Sequence, residues 1–429
     1  MFLGMRGTGD WVTDQRPMNW RQNILYLYPN GMTPLTAFLS MMSSRKVDDP
    51  QFHWWTQNMG SVDGDINNIY TDPDLATPYV TGGLEGEILY VSVSADDGNR
   101  IKASHQILLR DASDPTLDCV GKVIDVARGA VGVLSVRLLE DDDNGVGDLS
   151  DADRFKIIGS INPEGGEMPD PIALNPTKVY NKTQIFRSSL STTRTALATR
   201  LRTENDYQKA KRECLETHSI EMEMAFLWGI MTENIGDNGK PERTTRGIIP
   251  FIRQYAPANV DDFSLNADYT GDTWLASGEI WFKAYLEQIF RYGASEKLAI
   301  VGSGALLAID SLAMTGGQIN LQPAQKTYGM DIRTWITPFG TIHMKTHPLF
   351  SYDATTRNMM VLLEPKELEY KFITDTTFYG ESSSKSHPEG YGSRRIDGKE
   401  EEFLTEAGLE FGLAEKCAVL TGLGVDNSL

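Results

Sequence analysis

Two glycine-rich stretches come nearest to a nucleotide site. Gly302-Ser303-Gly304 follows a strand-like run and opens a helix-like one, the setting in which a dinucleotide loop brings its backbone against a pyrophosphate. The pattern then fails. Leu307 stands where a third glycine must lie, and no acidic residue follows at the distance that holds a ribose. The plainer reading is a tight strand-to-helix turn. Gly236-Asp237-Asn238-Gly239-Lys240 suggests a phosphate loop, but the spacing is two residues short and Pro241 takes the place of the magnesium-binding hydroxyl. That stretch reads as the turn that ends a helix.

Metal chemistry has two candidates. His343 and His347 are four residues apart and on a helix could grip an ion. Their segment alternates like a strand, which sets the rings about 13 Å apart. The run Glu140-Asp141-Asp142-Asp143-Asn144-Gly145, with Asp148 beyond it, crowds oxygens as a calcium loop does. It lacks the alternation of acids and the distant glutamate of such a loop, so it reads as a solvated hairpin tip. Cys119, Cys214 and Cys417 are odd in number and widely spaced. They form neither a disulfide framework nor a zinc pattern, and a reducing compartment is expected. Asn181-Lys182-Thr183 is a glycosylation sequon without a secretory leader. No G-x-S-x-G elbow is present. No catalytic residue, cofactor or metal is expected.

The elements around these residues have a globular composition. Apolar residues make up 40% of the 429, and 39 glycines are added to them. Acids outnumber bases 59 to 40, a net charge of −19. A body so acidic is not built to grip a phosphate backbone, which needs clustered Lys and Arg. No apolar run is long enough to span a membrane.

Residues 1–80 do not read as a compact domain. A short helix is expected from Thr33 to Met42 and a strand at 52–57. The tryptophans Trp11, Trp20, Trp54 and Trp55 stand among Gly, Pro, Asn and Asp. They need either the chain's own body or a neighbouring subunit to pack against. Residues 84–161 hold five short, mostly alternating β-branched runs split by Gly/Asp turns, a small antiparallel unit or barrel. Residues 178–191 read as one extended segment. The clearest helix spans about 205–229. Tyr207, Cys214, His218 and Ala225 fall on its inward face, and Lys209, Arg212, Glu216 and Glu223 on its exposed one. A mixed body of helices (277–293, 305–314) and strands (297–302, 334–347, 358–373, 403–423) follows, so the fold class is α+β.

This layout resembles the major capsid proteins of tailed phages and their Hong Kong-97-type fold. More specifically it is similar to the major head protein family typified by the prolate-headed Escherichia phage. The segments that carry the likeness are TPLTAFLSMMSSRKVDDPQFHWWTQ (33–57), YNKTQIFRSSLSTT (180–193), TTRGIIPFI (244–252), LAIVGSGALLAIDSLA (298–313) and TPFGTIHMKTHP (337–348). The resemblance implies an N-terminal arm with first P-domain elements (1–80) and an extended loop with a small β subdomain (81–171). It further implies a spine helix and P domain (172–255), an A domain (256–365), and return strands (366–429). It implies a structural subunit of a virion head, assembled in the host cytoplasm as hexamers and pentamers around double-stranded DNA held by confinement. The expected partners are other copies, a separate scaffolding protein, a portal and a decoration protein, with no membrane. Trp11, Trp20, Trp54, Trp55, Asp141, Asp142 and Asp143 become the candidate anchors between subunits. No residue matches the Lys and Asn that form covalent crosslinks in some relatives. A cytoplasmic multidomain hydrolase with distant carboxylates is the alternative.

Overall fold

The computed structural model describes residues 43–57, 62–113, 118–142, 149–165, 171, 175–199, 206–316, 321–327, 330–379 and 398–429. The helix expected at Thr33–Met42, and Trp11, Trp20 and Asp143, lie outside them. The chain divides into two compact units, one formed by residues 55–178 and the other by the remainder.

The first unit is a closed six-stranded barrel. Its strands in spatial order are Asp63–Tyr70, Ile88–Ser94, Val131–Leu138, Asp118–Ala127, His105–Arg110 and Arg154–Ser160. Alternation along each strand sends Leu89, Val91, Val93, Ile107, Leu109, Leu134 and Val136 into one core. Closure leaves no free edge. The strand Asp63–Tyr70 precedes the boundary expected at residue 81. Its sequence, DGDINNIY, is poor in β formers. A register shift between Ile66 and Asn68 places both Ile66 and Ile69 inward, which breaks the alternation that marks a strand. One of the Gly/Asp turns expected between the β runs, ADDGN at 95–99, is instead a short helix, Ala95–Arg100, capped by Ser94 Oγ accepting from the Asp97 amide at 3.1 Å.

The second unit is built on two sheets. A seven-stranded sheet runs Val260–Asp262, Ala418–Thr421, Met360–Leu363, Glu296–Val301, Thr341–Thr346, Met330–Ile336, Leu321–Thr327. Its central strands are buried on both faces. Ala299, Val301, Met360, Leu362, Ala418 and Leu420 meet the helices Trp274–Phe290 and Ser303–Gly316. Ile300, Val361, Leu363 and Val419 face the other way. Continuous apolar runs such as LAIV are the sequence form of such strands.

The second sheet has four strands in the order Ser44–Lys46, Leu368–Tyr379, Gly398–Phe411, Gln184–Thr193. The extended segment expected at 178–191 is two strands. Thr177–Lys182 pairs with Gln51–Thr56, and Gln184–Thr193 pairs with Gly398–Phe411. The long helix Asp206–Trp228 packs on the four-stranded sheet through Met222, Phe226 and Leu227. His218 is buried and Arg212 exposed, as expected. Glu223, placed on the exposed face from its charge, is fully buried. It lies about 100° round the helix from Met222, so it is enclosed by a second layer that periodicity alone does not reveal.

The helix stops at Trp228, and the glycine-rich stretch beyond it is the turn of a hairpin, Thr232–Ile235 with Pro241–Thr244, not the helix stop itself. The next helix, Ile248–Tyr255, carries Pro250 in its first turn, where the missing amide leaves no intrahelical bond unmade. Gly247 donates to the Gly229 carbonyl at 2.7 Å. A Cβ on Gly247 meets the Leu227 carbonyl carbon and oxygen at 2.8 Å. Backbone cannot yield as a flexible side chain can, so Gly247→Ala is expected to lower stability by about 2 kcal/mol. Urea unfolding of the isolated subunit measures it.

Candidate functional site

The aromatic strand Gln51–Thr56 alternates in and out. Phe52 and Trp54 turn into the core of the second unit, where Trp54 lies 6.2 Å from the Phe52 ring and 6.4 Å from Phe251. Trp55 points away and is 65% exposed. The pair expected to anchor neighbours therefore divides. Trp54 belongs to its own chain's core, with its indole N–H lacking a partner among the described residues, and Trp55 is the free one.

The acidic tip divides too. Asp141 is exposed and accepts from the Glu85 amide at 2.6 Å. Asp142, expected in solvent, is 2% exposed. It accepts from the Tyr79 hydroxyl and, at 3.2 Å, from the Leu149 amide. Its own amide donates to the Gly83 carbonyl. Asp142 thus ties the connection that holds Tyr79 and Gly83 to the one that holds Asp142 itself and Leu149. A buried carboxylate needs such donors.

Four buried polar clusters in the second unit escaped sequence reading. Asn181 is fully buried and fully used. Its Nδ2 donates to the Leu409 carbonyl at 2.7 Å and the Arg246 carbonyl at 3.2 Å, and its Oδ1 accepts from the Arg246 amide at 2.8 Å. The sequon asparagine is therefore a structural knot. His218 bridges Ser188 Oγ at 3.0 Å and Thr405 Oγ1 at 2.8 Å. Burial pushes its pKa down, opposed by nearby Glu221. Glu223 and His347 form a pair at 2.8 Å with both side chains fully buried, and the His347 ring stacks on Phe350. Lys297 sits 3.4 Å from Glu364 and donates to the Lys416 carbonyl at 2.9 Å. Burial pulls the Lys297 pKa down, and Glu364 works against that. The signal available in sequence was a polar residue directly beside an apolar run, as in Lys297 before LAIV.

The loops with chemical possibilities have packing roles. A Cβ on Gly302 meets the Arg357 carbonyl oxygen at 2.2 Å, and one on Gly304 meets Asn358 Oδ1 at 2.0 Å. The Gly304 and Ala305 amides donate to the Arg357 carbonyl, so this helix start is filled by the protein's own chain. His343 contacts Thr334 Oγ1 at 3.2 Å, and His347 has different partners. All three thiols are pushed up by burial, Cys119 to about 12 and Cys417 to about 11. At neutral pH none is a thiolate, the reactive form.

These clusters join one element of the fold to another, which is the role of polar groups in a structural subunit. The chain belongs to the SU10 major capsid protein family, which it matches over residues 19–424. It is thereby a structural shell subunit of a phage virion, and the hydrolase alternative falls away. The major capsid protein of Pseudomonas phage PaMx41 is 22% identical over 411 residues, 93% of this chain and 91% of that one. A solved structure from Mycobacterium phage Bobi covers 95% of this chain and 96% of its own at 6% identity, with a TM-score of 0.46. The capsid of Myoviridae phage XM1 covers 62% of this chain and 81% of its own at 12% identity, with a TM-score of 0.39.

Two outcomes follow from the buried clusters. An unfolded histidine titrates near 6.5, and folded His218 titrates lower. As pH falls below about 6.5 the unfolded chain binds a proton that the folded one refuses, so stability falls with pH until the lower folded pKa is passed. His218→Gln is expected to flatten that part of the stability profile, read by denaturant unfolding across pH 7.5 to 5. Separately, Lys297→Met strands Glu364 in the interior and is expected to cost about 3 kcal/mol or more. Replacing both by Met and Leu should recover most of the loss. Thermal melts of the two variants decide it.

Proposed function

We propose that copies of this chain self-assemble through hexamers and pentamers into a closed head around double-stranded DNA, in the Hong Kong-97-type arrangement. The family match over 19–424 carries this reading. In it, residues 1–80 form the arm and the extended-loop region 81–171 holds most of the barrel. The helix Asp206–Trp228 is the spine of the P domain, the seven-stranded sheet is the A-domain sheet, and the strands after 366 return through both. Residues 33–57 and 180–193 support placing the chain in the prolate-headed subgroup. A separate scaffolding protein, a portal and a decoration protein are the further partners, assembly occurs in the host cytoplasm, and the subunit acts without catalysis or cofactor. At −19 per chain the packaged DNA is confined rather than gripped.

Trp11, Trp20, Trp55, Asp141 and Asp143 are the anchors toward neighbouring copies in this reading, with Trp54 and Asp142 supporting them from inside. Large exposed aromatics mark interaction surfaces. Trp55→Ala is expected to leave the subunit's melting temperature unchanged and to cut the yield of closed particles, counted by electron microscopy of the co-expressed assembly. Trp54→Ala is expected to do the reverse at first, costing about 3 kcal/mol of subunit stability. Normal particles from Trp55→Ala would remove that residue from the interface.

A further inference from the structure

The hairpin Thr232–Ile235 with Pro241–Thr244 is fastened at its base and loose at its tip. At the base Glu233 takes Lys182 at 2.6 Å and Arg243 at 3.3 Å, and the Thr232 and Thr244 hydroxyls meet at 2.7 Å. At the tip, residues 236–240, the hydrogen bonds among the described residues stay within the tip itself. The Gly236 amide donates to the Lys240 carbonyl at 2.9 Å, the Gly239 amide to the Gly236 carbonyl at 2.8 Å, and the Lys240 amide to Asn238 Oδ1 at 3.0 Å. A cleft of about 410 Å³ lies between the tip and residues Thr183, Gln184 and Ile185. Asp237, Asn238, Gly239 and Lys240 are exposed. Ile235 beside them is 83% exposed, so it does not pin the tip to the body.

Asn238-Gly239 is the sole Asn-Gly pair among the described residues. A side chain on the second residue crowds the approach of its amide nitrogen to the asparagine carboxamide, and glycine has none. Gly239 also has a φ of +70° and nothing within 4 Å of where a Cβ would stand. The space needed for ring closure is therefore open. The closed turn keeps the reacting groups apart, because the Gly239 amide is held by Gly236 and Asn238 Oδ1 by the Lys240 amide. That restraint is weak. A two-stranded ribbon is marginal in water, and exposed tips of this kind open at little cost in free energy.

We propose that Asn238 is a site of spontaneous modification, at which each opening of the tip lets the Gly239 nitrogen close on the Asn238 side chain. The nitrogen attacks Asn238 Cγ, the Cγ–Nδ2 bond breaks, and the amide proton leaves with the departing ammonia. The product is a five-membered succinimide. Water then adds to one of its two carbonyls and opens the ring to aspartate or isoaspartate. The sequence of steps consumes one water, releases one ammonia and needs no oxidant or cofactor. Either product adds a negative charge beside Asp237 in each copy. Aspartate can still accept from the Lys240 amide, whereas isoaspartate inserts a methylene into the main chain between Gly236 and Gly239 and strains the turn. The inference rests on no part of the shell reading.

The test incubates the purified full-length chain in mildly alkaline buffer and follows the peptide 213–243 by tandem mass spectrometry. Asn234, exposed in the same hairpin but followed by Ile235, is the internal control. Asn238 is expected to gain one mass unit at a rate within about a hundredfold of that in the urea-unfolded chain, because a tip that opens readily protects it little. Asn234 is expected to remain an amide. Asn238→Gln, which closes a ring one atom larger, is expected to abolish the gain. Equal conversion of Asn234 and Asn238 overturns the inference. So does a folded chain that reacts more than about a hundredfold slower than the unfolded one, because the turn then stays shut.

Discussion

The second unit depends on one requirement, that the four-stranded sheet must have its inner face covered by the helix Asp206–Trp228. Phe186, Phe226 and Tyr370 lie in that contact, with Phe186 and Phe226 meeting edge to face at 5.9 Å. Such a pair adds about 0.5–1.5 kcal/mol beyond the area buried. A polar residue within this contact must bring its own partners. His218 does so by joining Ser188 on one strand to Thr405 on the next. The bridge fixes where the helix sits along the sheet, because a shift by one turn takes the buried His218 ring away from both of its partners.

The same logic explains the buried charges. An ion pair taken out of water returns little net stability, since desolvation offsets most of the attraction. Its effect is on geometry. Glu223 on the long helix meets His347 at the end of Thr341–Thr346, and Lys297 on Glu296–Val301 meets Glu364 after Met360–Leu363. Each pair joins elements distant in sequence, and each makes a misplaced arrangement costly by leaving a buried polar group without its partner. A shell subunit has to offer the same surfaces in every copy, and specificity of this kind serves that need better than extra apolar area.

Period and punctuation in the sequence exposed most of the elements. The long helix, the paired helices of the seven-stranded body and five barrel strands could be read from spacing alone. The strand Asp63–Tyr70 could not, because its bulge turns two isoleucines three apart to the same side. The break at Thr183 was hidden because both halves of 178–191 are extended, and only the pairing partners tell them apart. Asp142 and Glu223 were misjudged for one reason. Charge predicts exposure on average, and a carboxylate is found inside only when its donors, here Tyr79 and Leu149 or His347, converge from elsewhere in the chain. Convergence of distant residues is the information that a single sequence lacks.

Charge sets the last constraint. Residues 55–178 hold 22 Asp and Glu against nine Lys and Arg, a net −13 of the chain's −19. Copies bearing such a module repel one another, and the repulsion grows with every subunit added to a shell. In the proposed assembly, the closest contacts between copies then favour neutral or apolar groups, or an acid set against a neighbour's base. Trp55, standing out of its strand, meets that condition with aromatic surface. Salt screens the repulsion within about 8 Å at physiological strength, so the acidic faces need only stand apart by that much. In the proposed assembly, short-range aromatic contacts, which ionic strength scarcely touches, then decide where one copy meets the next.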